Sequence, residues 1–137
     1  MNSQNINCQV VDFLADLEKV VSKVVNATAV VYTYSYPTEK GASYSFEYQF
    51  DSGGVIDVKV ELEQGNTKPA TEGSASTDFV VPEDSADFDK SVTDKVVHIK
   101  AYAPAATGHL RLKITGQGSN AVTTVITRAR MAIIKTP

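Results

Sequence analysis

Tryptophan is absent from this chain of 137 residues, and cysteine and histidine are scarce, at one and two. A lone cysteine, Cys8, excludes an intrachain disulfide and fits synthesis in a reducing cytoplasm. With no His or Lys close by in the sequence to activate it, it does not read as a catalytic thiol. No run of 20 apolar residues occurs, so no membrane-spanning helix is expected, and the polar residues 1–5 lead into no apolar signal core. A basic stripe is missing too: 13 Lys and Arg are interspersed with 16 Asp and Glu for a net charge of -3, which argues against nucleic acid and anionic membranes as partners. The two histidines, His98 and His109, have no Cys or carboxylate at metal-ligand spacing beside them, although they stand on either side of one turn. A structural or solvent-facing role is the expectation for both, and with no converging set of nucleophile, acid and base the chain reads as a non-enzyme without a cofactor.

What the sequence has in quantity is alternation. Hydrophobic residues at 42% and charged residues at 21% suit one globular domain. Tyr44, Phe46, Tyr48 and Phe50 fall on every second position, and after the turn-forming Asp51-Ser52-Gly53-Gly54 so do Ile56, Val58, Val60 and Leu62. Residues 43–63 therefore predict two half-buried strands joined as a hairpin, whose apolar face another layer must cover. Further strands are expected at 20–25, 29–36, 79–81, 97–103, 110–115 and 124–133, punctuated by Pro37, Pro82, Pro104 and glycine-rich turns. In the strand at 97–103, Val97, Ile99, Ala101 and Ala103 form the apolar side and His98, Lys100 and Tyr102 the polar one. In the last strand Val125, Ala129, Met131 and Ile133 face one way and Thr124, Ile126, Arg128 and Arg130 the other. The fold class is all-β, an antiparallel β-sandwich of about seven to eight strands, jelly-roll or immunoglobulin-like. Residues 1–18 read as an N-terminal arm, short helix or further strand, and residues 19–137 as the sandwich domain.

Three sets of residues invite a functional reading. Glu83, Asp84, Asp87 and Asp89 offer the hard oxygens that calcium prefers, against the plainer reading of a solvated acidic loop. Tyr32, Tyr34 and Tyr36, with Tyr102, suggest stacking on sugar rings, against core packing at period two. Arg128 and Arg130, and Tyr102 on the polar side of its strand, are candidate interface residues if their faces stay uncovered. Residues 64–76 are nearly devoid of large apolar side chains and predict a long exposed loop.

The stretch Ser43-Tyr44-Ser45-Phe46-Glu47-Tyr48-Gln49-Phe50-Asp51-Ser52-Gly53-Gly54, then Val58-Lys59-Val60-Glu61-Leu62-Glu63-Gln64, then His109-Leu110-Arg111-Leu112-Lys113-Ile114-Thr115-Gly116, and finally Asn120 with Thr123-Thr124-Val125, resembles small β-sandwich structural proteins of tailed bacteriophages. The resemblance spans residues 40–134 in arrangement. It implies a virion component without enzymatic activity, such as a capsid decoration or auxiliary protein that binds the major capsid protein or another virion protein and stabilises the shell. It also implies a homo-oligomer, commonly a trimer, made in the host cytoplasm and located in the virion, with the N-terminal segment as an arm toward a neighbour. A tail or fibre accessory protein is a close variant. A carbohydrate-binding β-sandwich module is the alternative of a different class.

Overall fold

The computed structural model describes residues 7–15, 24–85, 91–105 and 107–135. Nine strands occur among them: β1 (Asn7–Asp12), β2 (Val30–Tyr32), β3 (Tyr36–Pro37), β4 (Ala42–Asp51), β5 (Val58–Gly65), β6 (Phe79–Val80), β7 (His98–Tyr102), β8 (His109–Gly116) and β9 (Val125–Lys135). All pairings are antiparallel. A front sheet has the order β1-β9-β4-β7, and a back sheet the order β2-β8-β5-β6 with β3 also on β8. If β2 and β3 count as one interrupted strand, the chain alternates between the sheets in pairs, with first beside last and second beside second-last. That is the jelly-roll arrangement, and it settles the choice between the two sandwich topologies.

The expected hairpin over residues 43–63 is not formed. β4 pairs with β9 and β7, whereas β5 pairs with β8 and β6, so the segment 52–57 carries the chain from one sheet to the other. The reason lies in the apolar faces themselves. In a hairpin both would point the same way and need a third layer, but crossing between sheets turns Tyr44, Phe46, Tyr48 and Phe50 toward Val58, Val60 and Leu62. Phe46, Phe50, Val58, Val60 and Leu62 are wholly excluded from solvent, each contributing about 1.5–3 kcal/mol of transfer free energy. Gly41 sits at φ +81° in the turn before β4, a backbone region in which a side chain is strained.

Other local expectations change phase rather than type. On β7 the period of two holds but the face is inverted: His98, Lys100 and Tyr102 lie on the core side and Ile99 and Ala101 outside. The register imposes this, because Tyr44 is opposite Tyr102, Phe46 opposite Lys100 and Tyr48 opposite His98 on the inward face of β4. At a sheet margin, side chains with an apolar body and a polar tip cover the core while the tip reaches a loop. On β9 a bulge between Gln49 and Phe50 of the partner leaves Thr127 without an opposite residue, so Ile126 enters the core together with Ala129, Met131 and Ile133. Within 29–36 the strand is interrupted after Tyr32, and Val31 rather than Val30 points inward. There Thr33 takes over part of the ladder: its amide donates to Leu112 O at 3.0 Å and its Oγ1 accepts from Leu112 N at 2.9 Å.

The strand alternative applies to residues 7–12 of the N-terminal segment, which form the edge strand β1 on β9, and Phe13 beyond it is fully buried against Tyr36. The strand expected at 20–25 falls mostly outside the described residues; Val24 makes a single bridge to Val125, and Val25 is buried.

Candidate interaction surfaces

The two sheets differ in what covers their outer faces. On the back sheet the loop after β5, expected to be exposed, folds back over the strands. Arg111, which alternates with Leu110 and Leu112 on β8, has no solvent exposure. Its guanidinium lies between the rings of Tyr32 and Phe79, 4.2 and 4.3 Å from their centroids, donates to Glu63 Oε1 at 2.9 Å and to the Ser74 carbonyl at 2.8 Å. Glu72 adds a second anchor, accepting from the amide and the hydroxyl of Ser35 at 3.1 and 3.0 Å. Phe79 fits because Gly65 opposite it has no side chain; a Cβ there would come within 2.8 Å of the ring. This small outer core was missed because Arg and Glu in alternation read as a solvated face. The available signal was that Glu63 and Arg111 lie on two strands of equal length, β5 and β8, whose alternating faces carry opposite charges.

The front sheet's outer face carries no such loop among the described residues. The register arranges its side chains in rows: Cys8, Ile134 and Ser43; then Val10, Ala132, Ser45 and Ala101; then Asp12, Arg130, Glu47 and Ile99; then Arg128 and Gln49. Val10 and Ile99 are each 64% exposed, with Ala132 and Ser45 forming a low saddle between them. Around that saddle is a shallow depression of about 230 Å³. Glu47 lies between Arg128 and Arg130 at 3.7 Å from each, beyond hydrogen-bond distance. Arg128 and Arg130 lie on this outer face, half-buried and exposed respectively, and no loop covers them among the described residues. Tyr102 does not belong with them: it is a correction that this residue is buried, its hydroxyl donating to Asp84 Oδ1 at 2.8 Å. Burial, then the Asp84 carboxylate, pushes the Tyr102 phenol well above the usual tyrosine range.

A second surface lies at the end of the sandwich where β4 stops and β5, β7 and β9 begin. Three loops meet there and are tied together. Asn120 is buried and accepts from Asp57 N at 2.9 Å and Thr124 Oγ1 at 3.1 Å while its Nδ2 donates to Val25 O at 2.6 Å. Ala121 N donates to Val55 O at 2.9 Å, and the Gln49 amide donates to Lys95 O at 2.7 Å. On this pinned base Val55, Val96 and Val122 are 59%, 62% and 70% exposed, one on each loop. Beside them is an open depression of about 580 Å³ lined by Ser52, Gly54, Asp57, Asp94, Lys95 and Ser119. His98 stands at its edge, stacked on Tyr48 and bonded at 2.9 Å to Asp94, whose carboxyl is held below its usual range first by that bond and then by the Val96 amide.

The remaining sequence candidates do not converge. His109 pairs in register with Gly65 and Pro37 at the far end from His98, because each histidine begins its strand and the length of β7 lies between His98 and the turn. Of the acidic residues, Glu83 and Asp84 lie on a single 3-10 turn, while Asp87 and Asp89 are outside the described residues. Among the described residues no three His, Cys, Asp or Glu are grouped to hold a metal ion. Tyr32 is buried under Arg111, Tyr36 packs on Phe13, and Tyr34 is half-buried, so the tyrosine stripe follows its packing reading.

No family model matches the chain, and no curated protein matches its sequence. Among solved structures it is similar to a chain in the structure of the infectious bursal disease virus Gx strain, at 10% sequence identity with a TM-score of 0.48, over 96% of this chain and 33% of that one. The chain thus spans about a third of the length of that viral chain.

Proposed function

We propose that this chain is a non-enzymatic structural component of a virion, a capsid decoration or auxiliary protein of a tailed bacteriophage that attaches to the shell by surface contact. Its partner is the major capsid protein or another virion protein, and its place is the assembled particle after synthesis in the host cytoplasm. The sequence resemblance across residues 40–134 supports the reading, and the jelly-roll is a fold used by viral capsid domains, though fold alone does not decide function.

The observation that carries the proposal is the loop end, where Val55, Val96 and Val122 stand exposed on three loops that share a hydrogen-bonded base. Isolated exposed valines are common on soluble proteins, but one on each of three loops at the same end of the sandwich, on loops held by hydrogen bonds, offers apolar contact that loses little freedom on binding. The carbohydrate alternative loses support at Tyr32 and Tyr102, which are buried, and keeps only Tyr34 and Tyr36, which are half-buried.

Co-sedimentation of the purified chain with capsid shells that lack it tests the proposal. The expected result is saturable binding by the wild-type chain and at least tenfold weaker binding by the triple variant Val55→Asp, Val96→Asp, Val122→Asp, with its melting temperature nearly unchanged. A wild-type chain that stays in the supernatant, or a triple variant that binds equally well, overturns it.

A further inference from the structure

We propose that the outer face of the front sheet is a self-association surface, on which two copies of the chain pack face to face about a two-fold axis running parallel to the strands between β9 and β4. This surface is separate from the loop end, so it goes beyond shell attachment.

Charge placement selects this occupant and this axis. Across a two-fold of that orientation each column meets its mirror column at the same row: β9 faces the partner's β4, and β1 faces the partner's β7. Arg130 then lies over the partner subunit's Glu47, and Glu47 over the partner subunit's Arg130, so one pair of opposite charges is satisfied twice. In the row above, Ala132 meets the partner subunit's Ser45, small on small, which lets the sheets approach. Val10 meets the partner subunit's Ala101 in that same row and Asp12 the partner subunit's Ile99 in the next, so the apolar part of the contact is Val10 on Ala101 beside Ala132 on Ser45.

Three features fit a pair rather than an ordinary solvated face. Asp12 and Glu47 balance Arg128 and Arg130, so the face is neutral on a chain of net charge -3 and does not repel its own copy. Glu47 sits 3.7 Å from both arginines, a loose ion pair on a solvated face, so a shorter charge-assisted bond to a partner subunit's carboxylate can replace water on the guanidinium. The row above the charges is uncharged from one sheet edge to the other, through Val10, Ala132, Ser45 and Ala101. The footprint, four strands about 4.8 Å apart and roughly six residues deep, is about 19 by 20 Å. That is about 760 Å² over both copies, below the roughly 1,000 Å² that a stable interface clears, so the pairing is weak and depends on concentration.

The test is a charge exchange between chains. Sedimentation equilibrium from about 1 to 500 μM is run on the wild-type chain, on Arg130→Glu, on Glu47→Arg, and on an equimolar mixture of the two variants. Arg130→Glu leaves two acids facing two acids across the axis, and Glu47→Arg leaves two cations facing two cations. Each variant alone is expected to dimerise at least tenfold more weakly than wild type, whereas the mixture re-forms opposite pairs and recovers an affinity within about threefold of wild type. Both positions are solvent-accessible, so melting temperatures stay close to wild type and loss of folding does not mimic the result. A monomeric wild-type chain, a three-chain mass, a variant that dimerises like wild type, or a mixture no tighter than its parts overturns the inference. Shell binding by monomeric Arg130→Glu separates the two proposals, since the loop end is intact in it: retained binding with lost dimer leaves both standing, and a dimer that never binds shells keeps this one while removing the other.

Discussion

Replacing Glu63 by alanine should destabilise the protein more than any surface charge removal, because it strands a cation inside the outer core of the back sheet. Arg111 is wholly buried, and among the described residues its acceptors are the Glu63 carboxylate, at 2.9 Å, and the Ser74 carbonyl. Breaking a buried ion pair from one side costs about 3–5 kcal/mol, since the remaining charge loses its compensation while staying desolvated. An unfolding entropy near 2.1 cal/mol/K per residue over 137 residues converts this into a fall of about 10–17 °C in melting temperature. Replacing both members, as Glu63→Leu with Arg111→Met, removes the stranded charge and keeps apolar volume between Tyr32 and Phe79. That double variant should lie within about 2 kcal/mol of wild type, the residual loss being the bond to Ser74. Differential scanning calorimetry on wild type, both single variants and the double variant gives the coupling free energy directly. A Glu63→Ala protein melting within about 3 °C of wild type, or a double variant no more stable than that single one, refutes the reasoning.

Asn120→Ala should cost about 2–4 kcal/mol in urea denaturation, since three buried groups, Asp57 N, Thr124 Oγ1 and Val25 O, lose a partner together; a loss under about 1 kcal/mol contradicts its role as the tie of the loop end. Glu72→Ala should leave the sandwich folded while loosening the loop over the back sheet, so hydrogen exchange at the Ser35 amide speeds up about tenfold; unchanged exchange means that the carboxylate does not hold the loop. Alkaline titration by ultraviolet absorbance should show Tyr44 and Tyr102 ionising above the usual tyrosine range, because burial raises both. As their folded-state values lie above the unfolded one, their contribution to stability is complete below about pH 10 and is lost as pH rises beyond it. Six tyrosines ionising in a single step near pH 10 would contradict the packing.

The strands were legible because a period of two survives in the sequence wherever one face is buried, as from Tyr44 to Phe50 and from Leu110 to Ile114. Pairing was not legible. Whether Ile56 to Leu62 returns beside β4 or crosses to the other sheet depends on which layer covers the aromatic face, a long-range fact that local alternation does not contain. Face assignment failed for a related reason at β7, where His98 and Tyr102 gain more by covering Tyr48 and Tyr44 at the sheet margin than Ile99 loses by staying outside. At β9 a single bulge reversed the parity of Ile126. Arg128 and Arg130 could be placed together on one face of β9 from their spacing of two, but whether that face is covered depends on the other layer. The loop end was not legible, since its valines are close only after β4, β7 and β8 have been placed.

Cryo-electron microscopy of capsid shells saturated with this chain tests the central claim most directly, because it shows orientation as well as attachment. The account predicts density with the Val55, Val96 and Val122 end against the shell and the β1-β9-β4-β7 face turned toward a second copy. Density seated through the loop-covered back sheet, or shells that remain bare at saturating concentration, would contradict it.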